Sequence, residues 1–281
     1  MNLKEFVYFF LRNKKIITAL CILGLLALVS IFGPFLTSYD PLEFASAPYQ
    51  PPNRQHWLGT NTFGQDLFTQ TVYGLRSSLL VGLFGGGLAT IIGLIIGFLA
   101  GYRGGWFDEI LMMLTNILMV IPTLALLIII AAYLPYRGVL IQSVIIGLTA
   151  WPWTARAVRA QTLSLKTREF VDLARITATR SSKIIFQEIM PNMMSYVFMV
   201  FILQFGGAIL AATGLDFIGL GPTRGISLGI MLQQATLWNA IQLGMWWWVV
   251  TPGALITLVV ATLYIMNTGL DEVFNPRLRE M

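Results

Sequence analysis

The spacing of its charges constrains this chain more than anything else in it. Uncharged stretches run over Ile16–Tyr39, Ser77–Tyr102, Ile110–Tyr136, Gly138–Ala155, Ile189–Leu215 and Gly225–Leu270. Unsatisfied backbone groups are so costly in lipid that a crossing segment is either a helix of about 20 apolar residues or a strand of a closed barrel. The stretches are continuous and do not alternate residue by residue, which excludes the barrel. Only 11% of the residues are charged, against about 25% in a soluble domain, so a cytosolic enzyme and a disordered chain are excluded too. The single Cys21 excludes a disulfide-built module. The high pI, near 9.5, would suggest nucleic acid only if the basic residues formed one soluble stripe. They lie instead between the uncharged runs.

The first five runs each fit one helix, and the sixth is longer. Its first half carries Gln233, Gln234, Asn239 and Gln242, whose amides would be unsatisfied against lipid, so it reads as a partly amphipathic loop. The second half predicts a helix at about 246–268, with Trp246, Trp247 and Trp248 as an aromatic belt. The expected fold is therefore an all-α integral membrane protein with six transmembrane helices. Fourteen basic residues fall on one side: Lys4, Arg12, Lys14, Lys15, Arg103, Arg156, Arg159, Lys166, Arg168, Arg175, Arg180, Lys183, Arg277 and Arg279. Four fall on the other: Arg54, Arg76, Arg137 and Arg224. The positive-inside rule then predicts that both termini are cytoplasmic. The first helix is too long for a secretory signal and reads as an uncleaved anchor, with Cys21 as a small packing residue in it.

No acidic residue falls in the middle of an expected span, so a proton or ion relay has no intramembrane carboxylate to use. No lysine follows a glycine, which excludes the phosphate-binding G-x-x-x-x-G-K-[ST] loop. Uphill transport would need energy from another subunit. His56 has no neighbouring Cys or acidic partner in sequence and makes a poor metal ligand. The reading assigns no catalytic residue, no metal site and no cofactor to this chain.

The longest charged stretch, about 156–192, lies between the fourth and fifth runs. Thr167 is a candidate N-cap, with Glu169 in the following turn. Phe170, Leu173, Ala174 and Thr177 share one helical face, and Arg168, Asp172 and Arg175 another. Ser181 or Ser182 would cap a second short helix that Pro191 ends or kinks. An apolar stripe with alanine at its centre fits close docking of a partner; two solvated interface helices are the plainer reading.

Phe170-Val171-Asp172-Leu173-Ala174-Arg175-Ile176-Thr177-Ala178, followed by Ile189-Met190-Pro191-Asn192, resembles the EAA coupling loop of binding-protein-dependent ABC importer permeases. Leu173 stands where that pattern has its first alanine, and Ala178 where it has glycine. The segment from His56 to Phe68, the run Tyr73-Gly74-Leu75-Arg76-Ser77-Ser78-Leu79, Gly101–Trp106, Asp216–Gly221 and Asn275-Pro276-Arg277 are similar to the C-type permease of the peptide/nickel group. Asn61, Gln65 and Asn275 depart from that pattern.

The resemblance implies a type I importer permease fold, with an anchor helix and extracytoplasmic loop over 1–70 and a permease domain over 71–281. It implies four kinds of partner: a homologous B-type permease, two ABC ATPases carrying ATP and Mg2+, an extracytoplasmic binding protein, and membrane lipid. It assigns ATPase coupling to Glu169, Phe170, Val171, Asp172, Leu173, Ala174, Arg175 and Ala178, and loop termination to Pro191 and Asn192. Di- and oligopeptides, oligosaccharides and nickel or metal chelates all stay open as substrates. An ATP-independent transporter or channel, and a membrane scaffold, are the alternative classes. Asn116, Pro122 and Gln204 are candidate pathway residues. Gly93, Gly97 and Gly101 recur every fourth residue, as a sliding contact or, preferably, as ordinary small-residue packing.

Overall fold

A computed structural model describes residues 12–274, so Lys4, Arg277, Arg279 and the Asn275-Pro276-Arg277 match lie outside the described residues. The described residues fold as helices: α1 (Lys14–Leu36), α2 (Leu67–Arg103), α3 (Gly105–Val120), α4 (Thr123–Ala132) and α5 (Val139–Lys166). They continue with α6 (Glu169–Ile176), α7 (Met194–Phe217), α8 (Leu228–Leu237) and α9 (Trp246–Phe274). Among the described residues the β-pairing consists of one isolated bridge between Thr60 and Asp66.

The expectation of six spans is overturned. Among the described residues four helices, α1, α2, α7 and α9, are long and apolar enough to cross a membrane, or five if α3 and α4 together count as one. The third uncharged run is not one rod, because it breaks at Ile121-Pro122 and its halves meet at 81°. Proline cannot donate to the preceding turn and pushes the residue before it to extended geometry, as Ile121 shows with ψ 123°. The fourth run lies in α5, which is uncharged at its start without being strongly apolar. Gln142, Ser143, Thr154 and Thr162 are buried along it, turned toward other helices.

α5 runs parallel to α2 at close range because α2 offers it glycine. A Cβ built on Gly93 would lie 2.4 Å from Thr154, one on Gly97 2.7 Å from the Ala155 carbonyl, and one on Gly101 2.8 Å from Thr162. The every-fourth-residue stripe is thus packing within one subunit, and it lets two backbones approach where side chains would hold them apart.

Asp66 starts α2 ten residues earlier than the uncharged run begins, its carboxylate accepting from the Thr69 N–H and hydroxyl at 2.7 Å each. Arg76 therefore belongs to α2, and the expectation that it sits in an outer loop is corrected. The tryptophan belt also needs correction: Trp246 is exposed, but Trp248 is fully buried in the core.

The first and last helices lie antiparallel and close the bundle. Lys15 pairs with Glu272, Asn13 donates to Glu272 at 3.0 Å, and Gly269 leaves room for Ile16. The start of α1 and the end of α9 thus share one end of the molecule. The turns over 37–66 lie at the other.

Candidate functional site

The coupling-type segment begins one residue later and is shorter than its sequence suggests. Thr167 closes α5, with its hydroxyl donating to the Ser164 carbonyl, and Arg168 takes the N-cap position of α6. Ser181 likewise falls inside its short helix, after Arg180. Glu169 and Asp172 sit in the first turn of α6 and Arg175 in the last, which suits the helix dipole at both ends.

The face of α6 that packs inward is Phe170, Val171 and Ala174. Val171 is fully buried, and all three join a cluster with Phe98, Tyr102, Val158, Ile184, Ile185 and Ile189. Leu173 points the other way and is 64% exposed, as is Ile176 at 81%. The expected face of Phe170, Leu173, Ala174 and Thr177 is therefore split: Phe170 and Ala174 seat the helix, while Leu173 is left outside. Ile176 is the residue the sequence reading missed. An eight-residue helix with two apolar sides gives no periodicity that chooses between them. Tyr102 fixes the segment further, its ring lying 5.8 Å from both the Lys166 ammonium and the Arg175 guanidinium.

α6 ends in a Schellman turn. The Ala178 N–H donates to the Arg175 carbonyl at 2.9 Å and the Thr179 N–H to the Ala174 carbonyl at 3.1 Å. Ala178 takes φ 53°, the left-handed conformation that glycine adopts without cost. The residue that stands where the coupling-loop pattern has glycine thus sits in a backbone conformation that favours glycine.

Between α6 and α7 the chain winds through a π-helical turn, Ile184–Ile189. Pro191 lacks an N–H, and in an unbroken α-helix its ring would clash with the carbonyl of residue 187. The wider turn before it and the break at Met193 relieve that conflict. The Asn192 side chain donates to the Glu188 carbonyl at 2.7 Å. Pro191 and Asn192 thus form a corner that aims α7 back into the bundle.

The three candidate pathway residues do not converge. Gln204 is buried, donating to the Ala150 carbonyl at 3.0 Å and the Thr154 hydroxyl at 2.7 Å, so it ties α7 to α5. Asn116 is exposed and accepts from Arg156 at 2.6 Å. Thr154 and Arg156, two residues apart, point to opposite sides of α5. Pro122 stands apart from both, at the bend. Nearby, Arg159 grips Asp108 through two 2.6 Å contacts that join α5 to α3 and hold the guanidinium pKa above its ordinary value.

At the opposite end His56 does have an acidic partner, which corrects the sequence reading. Its Nδ1 lies 2.8 Å from Asp66, both side chains being buried, and Tyr39 stacks on the ring at 5.3 Å. Turns at Gly59 and Gly64, both at φ 71°, fold the nine intervening residues back to bring the pair together. Asp66 is occupied with capping α2, so the pair locks the loop onto the helix. Among the described residues no group of three or more His, Cys, Asp or Glu is arranged to hold a metal.

Comparison with known proteins finds relatives of this sequence along nearly its whole length. Residues 93–280 match the family described as binding-protein-dependent transport system inner membrane component. Residues 2–52 match the N-terminal TM domain of oligopeptide transport permease C. The chain is 34% identical to the oligopeptide transport system permease protein OppC of Mycobacterium tuberculosis, over 97% of this chain and 94% of that one. It is 36% identical to the dipeptide transport system permease protein DppC of Alkalihalophilus pseudofirmus, over 95% and 88%. To the DppC of Bacillus subtilis it is 32% identical, over 95% and 83%.

Proposed function

The chain belongs to the binding-protein-dependent transport system inner membrane components, as a multi-pass, non-catalytic permease of the OppC/DppC type, and on that premise we propose that it couples peptide import to ATPase subunits through the outward face of α6. The observation that carries this reading is the pair Leu173 and Ile176, exposed on a helix whose opposite side is locked into the bundle. A docking partner that moves such a helix moves Tyr102, Val158 and the ends of α2 and α5 with it. That is the rigid lever an alternating-access machine needs.

The partners are two ATPases, which carry the ATP and Mg2+, a homologous B-type permease sharing the pathway, and an extracytoplasmic binding protein. Di- and oligopeptides are the substrate class, supported by the names of the relatives. The end that carries Lys14, Lys15, Lys166, Arg168, Arg175, Arg180 and Lys183 faces the cytoplasm, in keeping with the positive-inside rule. Residues 1–70 act as anchor and outer loop, and 71–281 as the permease domain. In the coupling segment Phe170, Val171 and Ala174 seat the helix. Glu169, Asp172 and Arg175 flank the docking face, and Ala178 turns the chain away from it. Asn116 and the Pro122 bend lie on the pathway side, whereas Gln204 serves as a tie within the bundle.

The test is Leu173→Asp with Ile176→Asp in the assembled importer. The permease should still purify as a folded chain while ATPase retention and ATP-driven peptide uptake fall by about thirtyfold, the effect of removing an interface hot spot of roughly 2 kcal/mol. Unchanged ATPase retention and uptake would overturn the proposal, and uptake that needs no ATP would favour the channel class.

A further inference from the structure

An apolar groove of about 680 Å³ is bounded by α1, α2, α7 and α9. Along α1 it runs from Leu20 to Ile31, about 16 Å at the helical rise. Its walls are aliphatic and aromatic except at Ser30 and Arg76. The Ser30 hydroxyl is already committed to the Ala27 carbonyl at 2.8 Å. Arg76 is different: it is exposed, and no described residue offers it a carboxylate, carbonyl or ring.

The position of Arg76 within the bundle sets what this cation meets. Gly33 of α1 abuts Val72 of α2, which puts Arg76 one turn further in, about 10 Å from the end of α1. That depth lies just below a headgroup layer, where a long basic side chain reaches upward to keep its charge solvated. A peptide backbone would find no free hydrogen-bonding partner along the groove other than this guanidinium. An amphiphile satisfies both parts at once, its chain against the leucines and phenylalanines and its anion on the cation.

We infer that the groove holds one acyl chain of an anionic membrane amphiphile whose headgroup sits on Arg76. The chemistry is shared by a phospholipid phosphate and a fatty-acid carboxylate. The site is separate from the outward face of α6 and stands or falls independently of the coupling reading.

The experiment is native mass spectrometry of the full chain in detergent. It is titrated with phosphatidylglycerol, with phosphatidylcholine of identical acyl chains, and with oleate. Wild type should bind one phosphatidylglycerol about tenfold more tightly than phosphatidylcholine, the effect of one charge-assisted hydrogen-bonded contact. Arg76→Gln should erase that preference while leaving phosphatidylcholine binding unchanged, and Arg76→Lys should keep most of it. Leu80→Phe, which fills the groove without touching the charge, should weaken both lipids. Oleate that competes for the same single site at comparable affinity assigns the carboxylate source; oleate that does not compete assigns the phosphate. A phosphatidylglycerol preference that survives Arg76→Gln would overturn the inference. So would a photo-crosslinker at Leu80 that captures a protein subunit instead of lipid in the assembled importer.

Discussion

Gly93 and Gly87 lie on the same helix six residues apart, and replacing each by alanine isolates the packing of α2 on α5. A Cβ on Gly93 would lie 2.4 Å from two carbons of Thr154 and 3.1 Å from the Ala155 nitrogen. The nearest atom to a Cβ on Gly87 is a Phe201 ring carbon at 3.9 Å, an ordinary contact. Both substitutions gain the same helix propensity, roughly 0.5–1 kcal/mol, so that term cancels between them. What remains is overpacking at Gly93, where β-branched Thr154 is stiff and α5 itself must move. Such insertions cost about 1–3 kcal/mol. For a chain of this size that separates the two unfolding midpoints by about 2–10 °C, Gly93→Ala being the lower. Thermal unfolding of the detergent-solubilised variants, scanned at one rate, measures the separation. A Gly93→Ala midpoint equal to or above that of Gly87→Ala would show that the stripe does not set the distance between the helices.

Other perturbations test the remaining joints. Ala178→Gly should stabilise the end of α6 by about 1 kcal/mol, because the left-handed φ of 53° no longer opposes a Cβ; slower amide exchange at Thr179 reports it. Gln204→Leu should cost about 1–3 kcal/mol by removing both bonds to α5, seen as a lower midpoint with no change in ATPase retention. Arg159→Gln and Asp108→Asn should each destabilise by about 1.5–3 kcal/mol, and the double variant by much less than their sum, since each single change strands a charge. Additive losses in that cycle would refute a direct coupling between α5 and α3.

Charge spacing made the helical membrane class legible, and the caps explain the boundaries it missed. α2 starts at its Asp66 cap, well before its uncharged run, because Arg76 lies inside the helix and cuts the run short. The number of spans was not legible. An uncharged run says nothing of a bend at Pro122, nor of whether Gln142 and Thr154 face lipid or another helix. The glycine stripe was read correctly because the spacing of Gly93, Gly97 and Gly101 is itself the geometry of close packing. The exposed face of α6 was not, since Val171 and Leu173 are both strongly apolar and only the tertiary cluster around Phe98 and Tyr102 decides which is covered. His56 and Asp66 meet through two left-handed glycine turns, a relation that sequence distance hides.

The clasp between Lys15 and Glu272 spans 257 residues of sequence, and this bears on the order in which the molecule is built. α1 is made first but finds its partner α9 last. Some 210 residues separate the end of one from the start of the other, about 10–40 s of synthesis at 5–20 residues per second. Through that interval the first helix has α2 but not α9 beside it, and the asparagine and lysine at its start wait for their carboxylate. A ribosome stalled before Trp246 would leave the ring of helices open on the side where its first and last members meet. The contact that closes the ring is therefore made only once the final helix has been released.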